Sequence, residues 1–161
     1  MPELFVAAGS NVDPIAHLKQ ALEALRKIYS PLRISPAYRN KAVGFEGEDF
    51  INLVVGFTTD DSIEQVRRQL QLVEKLCGRP ADAPKWAPRT IDLDILLYGD
   101  RISDEPGLVT PRPDLLRRAY MLKPMVDIAP DVIHPTQHKT MRELWDAFDR
   151  GAHAMNVVDL R

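Results

Sequence analysis

The chain has 161 residues, with 21 basic against 23 acidic side chains, a formal net charge of -2 and 45% apolar residues. That length suits one domain with a core of its own, and the balanced charge excludes the whole-molecule positive field of a nucleic-acid binder. No apolar run approaches the roughly 20 residues of a membrane span. The start Met1-Pro2-Glu3-Leu4-Phe5-Val6 is unlike a secretory signal and Cys77 is the single cysteine, so a cytoplasmic domain spanning residues 1–161 is expected, without nucleic-acid or membrane partners.

Residues 3–8 form a short apolar run that reads as a buried strand, closed by a turn at Gly9-Ser10-Asn11. Asp13 as N-cap and Pro14 at the first helical position start a helix, whose stripe is Ile15, Leu18, Leu22, Leu25 and Ile28. A second strand is expected over 33–39. The stretch Asn40 to Asp49 reads as a loop before an apolar strand from Phe50 to Thr58. Ser62 opens a second amphipathic helix with the stripe Ile63, Val66, Leu70, Val73 and Leu76, and Gly78 stops it.

A proline-containing loop follows from Arg79 to Arg89, and then a strand that carries Asp92 and Asp94. After Tyr98-Gly99-Asp100 come a small excursion, a helical segment from Pro113 to Ile128 and a last helix around Met141 to Phe148. The order strand, helix, strand, strand, helix, strand predicts an α+β fold: a ferredoxin-like βαββαβ core with an antiparallel sheet, helices mainly on one face, and a C-terminal helical extension.

Asp92 and Asp94 are the feature hardest to explain by packing. On a strand they point the same way, while Ile91, Leu93 and Ile95 point the other, with the two Cα atoms roughly 6.5 to 7 Å apart. Magnesium usually takes one or two protein carboxylates plus phosphate oxygens, so the pair suggests a nucleotide-using site. An acidic strand end exposed to solvent is the competing explanation. Arg79, Lys85 and Arg89 upstream and Arg112, Arg117, Arg118 and Lys123 downstream supply the cations that phosphoryl transfer uses for positioning and charge neutralisation. Phe50 and Asn52 project from one strand face, an aromatic and an amide that suit a flat heterocycle, although an asparagine satisfied by backbone would look the same. Pro135 between His134 and His138 argues against a helical zinc pair, and no lysine-bearing phosphate loop is present.

Taken together, Gly9-Ser10-Asn11, Phe50-Ile51-Asn52, Gly78-Arg79, Trp86-Ala87-Pro88-Arg89-Thr90-Ile91-Asp92-Leu93-Asp94 with Tyr98-Gly99, and Arg118-Ala119-Tyr120-Met121-Leu122-Lys123-Pro124 make the chain resemble the 6-hydroxymethyl-7,8-dihydropterin pyrophosphokinase family of folate biosynthesis. The resemblance implies a monomeric transferase that moves pyrophosphate from ATP to the pterin hydroxymethyl group and releases AMP. It implies two magnesium ions at Asp92 and Asp94, a catalytic part for Arg79 and Arg89, Asn52 reading the pterin edge between Phe50 and Tyr120, and Val43 with the backbone near Asn40 lining that pocket. Gln71, Glu74, Arg79, Trp86, Arg89, Ile95, Arg112 and Arg118 would serve ATP. Arg112 departs from the family, where many members carry histidine. The loop from Arg79 to Lys85, with Pro80, Asp82 and Pro84, departs from a more basic pattern. A nucleotidyltransferase using the same carboxylates, which would release pyrophosphate, and a binding module without turnover are the alternatives.

Overall fold

The computed structural model describes residues 1–41, 48–78, 91–149 and 155–160. Along the chain these form β1 (Glu3–Ser10), α1 (Pro14–Ile28), β2 (Arg33–Ile34), β3 (Ala37–Asn40), β4 (Phe50–Thr58), α2 (Ile63–Leu76), β5 (Asp92–Tyr98), α3 (Asp114–Arg117), α4 (Ala119–Ile128), α5 (Met141–Asp146) and β6 (Asn156–Val158). The strands make one six-stranded sheet in the order β5-β1-β4-β3-β6, with β2 also on β4, and every pairing is antiparallel.

The central strands β1 and β4 are buried along nearly their whole length, so both faces of the sheet need a cover. On the first face Leu4, Val6, Ala8, Ile51, Leu53, Val55 and Leu93 pack with Leu18, Leu22 and Leu25 of α1 and Val66, Leu70 and Val73 of α2. On the second, Phe5, Ala7, Val54, Leu96 and Leu97 pack with Leu115 of α3, Leu122 and Met125 of α4, and Met141 of α5. The expectation of helices mainly on one face is therefore corrected. The C-terminal segment forms the second layer, and β6 returns to pair with β3, so it is not purely helical.

Local departures from the sequence reading have identifiable causes. The strand expected over 33–39 is divided because Ser35 diverts pairing: its N–H donates to the Val54 carbonyl and its Oγ accepts from the Val54 N–H, beside Pro36, which has no donor. Gly9 lies inside β1, so the turn begins after Ser10. The helical segment expected from Pro113 to Ile128 breaks at Arg118, whose extended backbone interrupts the helical ladder between α3 and α4. Asp13 precedes α1 in a left-handed conformation at φ 44° and gives no side-chain cap. Ser62, in contrast, forms a reciprocal capping box with Gln65. Leu76 is largely exposed and Cys77 takes the buried place at that helix end, its thiol pKa raised by burial, as befits a core residue.

A bulge in β5 fixes which way the aspartates face. Phe5 pairs with Leu97 and Val6 with Ile95, leaving Leu96 as the extra residue, so Leu96 and Leu97 both enter the second core. Truncating Leu122, which is 1% exposed in that core, tests the importance of the second layer. Leu122→Ala is expected to cost about 3 kcal/mol in a urea titration; a loss near the roughly 0.5 kcal/mol of a surface change would contradict this packing.

Candidate active site

The candidate site is laid out by strand register. Gly9 on β1 stands opposite Asp92 on β5 and Asn52 on β4, and Asn52 stands opposite Tyr38 on β3. Two residues along, Ala7 stands opposite Asp94 and Val54. All of these share the face of the sheet that carries the second core, since Ala7 and Val54 belong to it. Neighbouring strands are about 4.8 Å apart, which puts the Asp92 and Asn52 backbones roughly 10 Å apart with only Gly9 between them.

That gap is held open by the absence of a side chain. A Cβ on Gly9 would collide with the Asn52 Oδ1, so the carboxamide occupies space that any larger residue at position 9 would claim. The Asn52 Nδ2 donates to the Asn40 Oδ1 at 2.6 Å, which fixes the orientation of the amide. Asn52 is 8% exposed, and Phe50 projects two residues away on the same face of β4.

At the edge of the sheet, α2, β5 and the segment 107–112 enclose a cleft of about 320 Å³ that Gln71, Glu74, Asp92, Asp94, Ile95 and Arg112 line together. Six of the expected nucleotide or metal residues thus meet in one place. Glu74 also supports the sheet edge, because its Oε2 accepts from the Leu93 N–H at 2.9 Å and so satisfies an outward-facing donor of the edge strand. Burial, followed by repulsion from Asp92, pushes the Asp94 carboxyl well above the usual carboxylate range, and Arg112 opposes the shift. The Arg112 guanidinium lies 3.5 Å from Asp94 through Nη1 and 3.5 Å from Asp114 through Nε, while the Arg112 backbone N–H donates to the Leu96 carbonyl at 2.9 Å. It faces the carboxylate pair from a tethered backbone. Two crowded acids with a surplus of negative charge fit a divalent cation that takes its remaining ligands from phosphates.

Tyr120, in the first turn of α4, is half-buried; burial raises its hydroxyl pKa, and Arg118, Asp114, Asp94 and Arg112 all act on it electrostatically. It therefore belongs to the same charged neighbourhood as the cleft, as does Arg118 at the break before α4. Val43, Arg79, Trp86 and Arg89 lie outside the described residues, as does Lys85. Among the described residues no group of three or more His, Cys, Asp or Glu side chains could hold an ion.

The sequence reading missed the anchor of α4. The Tyr38 hydroxyl, in the strand row of Gly9 and Asn52, donates to Asp127, which also receives Lys123 Nζ at 2.9 Å. This ties β3 to the helix that carries Tyr120. The spacing of Lys123 and Asp127 at i,i+4 was the available signal, but nothing in sequence links it to Tyr38.

A sequence profile of the family 7,8-dihydro-6-hydroxymethylpterin-pyrophosphokinase (HPPK) matches residues 5–130. The chain belongs to this family. It is similar, at 37% identity over 145 residues, to the 2-amino-4-hydroxy-6-hydroxymethyldihydropteridine pyrophosphokinase of Aquifex aeolicus, with 89% of this chain and 90% of that protein covered. The pyrophosphokinase of the same description from Synechocystis is 33% identical, covering 89% of this chain and 75% of that one. Among solved structures, Plasmodium falciparum HPPK-DHPS with pterin and p-hydroxybenzoate has a TM-score of 0.70 at 14% identity. The alignment covers 90% of this chain but only 42% of that longer one, and the likeness concerns the fold alone.

The raised Asp94 pKa bears on the stability of this HPPK-family chain. Because the folded protein holds the proton more tightly than an unfolded aspartate near pKa 3.9, Asp94 destabilises the cation-free protein increasingly as pH rises above about 4. In thermal melts with a chelator, Asp94→Asn is expected to raise Tm at about pH 8 and to raise it less as the pH falls toward about 4. A gain that does not change with pH, or a loss at about pH 8, would contradict the assignment.

Proposed function

We propose that the chain transfers the β,γ-pyrophosphoryl group of ATP to the hydroxymethyl oxygen of 6-hydroxymethyl-7,8-dihydropterin in a magnesium-dependent step of folate biosynthesis. The observation that carries this reading is the register that sets Asp92 and Asp94 beside Ala7 and Gly9, with Asn52 across the strand on the same face. It gives one surface two recognition ends, a carboxylate end and an amide end, in a chain of the HPPK family.

In this reading the hydroxymethyl oxygen attacks the β-phosphorus, the bond from that phosphorus to the bridging oxygen of the α-phosphate breaks, and AMP leaves with those electrons. Asp92 and Asp94 would hold two magnesium ions, which supply neutralisation of triphosphate charge and alignment of the reacting oxygens. Asn52, oriented by Asn40, hydrogen-bonds the pterin edge, and Phe50 and Tyr120 bracket the ring. Asp94 serves in this reading as the acceptor of the hydroxyl proton. Arg112 and Arg118 bind phosphate oxygens, and Gln71, Glu74 and Ile95 form the nucleotide wall. Arg79, Trp86, Arg89 and Val43 keep the roles that the family resemblance implies.

The strand order β5-β1-β4-β3 supports a ferredoxin-like core to which the segment from residue 101 onward is added. The same proposal treats the enzyme as a single-domain monomer of the cytoplasm.

Incubation with ATP, magnesium and 6-hydroxymethyl-7,8-dihydropterin is expected to yield AMP and the pterin diphosphate. Asp92→Ala should lower kcat by at least about 100-fold, a loss of roughly 2.7 kcal/mol in transition-state stabilisation. Pyrophosphate in place of AMP would identify a nucleotidyltransferase, and pterin binding without AMP would identify a binding module. Either result overturns the proposal.

A further inference from the structure

Among the described residues, two buried side-chain nitrogens make no hydrogen bond, Arg112 Nε and His134 Nε2, and both residues line one cavity. This cavity, of about 490 Å³, lies between the excursion after β5, the segment 110–113, Leu116 of α3 and the turn that begins at His134. Thr110 and Arg112 also line the nucleotide cleft, so the segment that carries them separates the two spaces. The Arg112 Nε stands 3.5 Å from Asp114 without meeting it in a hydrogen bond.

The neighbours of His134 fix where its hydrogen sits. Its Nδ1 accepts from the backbone N–H groups of Thr136 at 3.2 Å and Gln137 at 3.3 Å, which requires an unprotonated Nδ1. The neutral ring, favoured by burial that lowers its pKa, therefore carries its hydrogen on Nε2. The ring is 1% exposed. Holding the turn uses Nδ1 alone, and an asparagine Oδ1 in the same place would accept both bonds. The Nε2–H is a donor that the local fold does not use, and a buried donor left unpaired is costly. One water would satisfy it, but the cavity is far larger than the roughly 30 Å³ of a water, and Ile102, Pro111, Pro113 and Leu116 give it apolar walls. Such walls with two convergent polar residues suit a small organic ligand that carries an acceptor head on an apolar body. The charge of Arg112 favours an anionic head. Asp104 lines the cavity and Asp114 faces Arg112, so the negative charge already present favours a single charge over the two of a phosphate.

We propose that this cavity is a binding site for a small monocarboxylic acid, whose carboxylate accepts from His134 Nε2 and meets the charge of Arg112 while its apolar body lies against Ile102, Pro111, Pro113 and Leu116. The site goes beyond the pyrophosphokinase reading and does not rest on it, for neither ATP nor the pterin enters this cavity. Cyclohexanecarboxylate is the probe, titrated into the full chain without magnesium and followed by NMR of the histidine rings and backbone amides, with cyclohexanol and inorganic phosphate as comparisons. The carboxylate is expected to bind the parent with a Kd of about 1 mM, shifting the His134 ring and the amides of Ile102 and Leu116. Cyclohexanol, which lacks the charge, and phosphate, which lacks the body, are each expected to bind there at least about tenfold more weakly. His134→Asn keeps an acceptor for the turn and removes the Nε2 donor, and is expected to bind the carboxylate at least about tenfold more weakly than the parent. The absence of saturable shifts in the parent, or shifts confined to other parts of the chain, would overturn the proposal. So would cyclohexanol or phosphate matching the carboxylate, or a folded His134→Asn variant with the parent's affinity. If that variant does not fold, the three titrations of the parent decide the matter by themselves.

Discussion

Gly9 lies between Asp92 on one side and Asn52 on the other, and the Asn52 carboxamide oxygen fills the place where a Cβ would stand. Because neighbouring strands cannot approach closer than about 4.8 Å, two functional groups on β5 and β4 must be separated by whatever β1 presents between them. Ala7 and Gly9 present almost nothing, so the aspartates of β5 and the amide of Asn52 face each other across one open floor. The same strand must also pack its alternate residues, Leu4, Val6 and Ala8, against α1 and α2. On the site face only Phe5, which packs into the second core, is large, and Ala7 and Gly9 leave the rest of that face open.

Electrostatics then decides what that floor can hold. Asp94 is half-buried beside another carboxylate, and Arg112 compensates only in part, since the same guanidinium also faces Asp114. The resulting excess of negative charge destabilises the empty protein and favours a cation, so binding energy is stored in the preorganised pair. Arg112 stands where the family resemblance implies a histidine. A guanidinium keeps its charge throughout the neutral range, whereas a histidine at that place would change charge near neutral pH. The bond from the Arg112 backbone N–H to the Leu96 carbonyl fixes the backbone from which that charge reaches the cleft.

Much of this was legible in the sequence. The alternation around Asp92 and Asp94, the start of α2 at Ser62 and the limits of β4 follow from periodicity and capping, and the paired carboxylates with flanking arginines indicated the chemistry. The second helical layer was less visible, although the unbroken apolar runs in β1 and β4 imply two covered faces, because a strand open to solvent on one side would alternate. The β5 bulge, the diversion at Ser35 and the bond from Tyr38 to Asp127 depend on which strands become neighbours, and no local signal encodes that. Gly9 illustrates the limit well. In sequence it reads as turn punctuation, and only the register shows that it is a strand residue whose missing side chain makes room for Asn52.

The space above Gly9 is therefore what the two ends of the site share, and substitution there probes it most directly. Gly9→Ala should displace the Asn52 side chain, a flexible group that can rotate away, so the fold survives. Calorimetric titration of the variant is expected to show the affinity for 6-hydroxymethyl-7,8-dihydropterin falling by at least about tenfold, roughly 1.4 kcal/mol, while the affinity for magnesium-ATP changes little. Unchanged pterin affinity, or an equal loss for both ligands, would contradict a floor shared between an amide end and a carboxylate end.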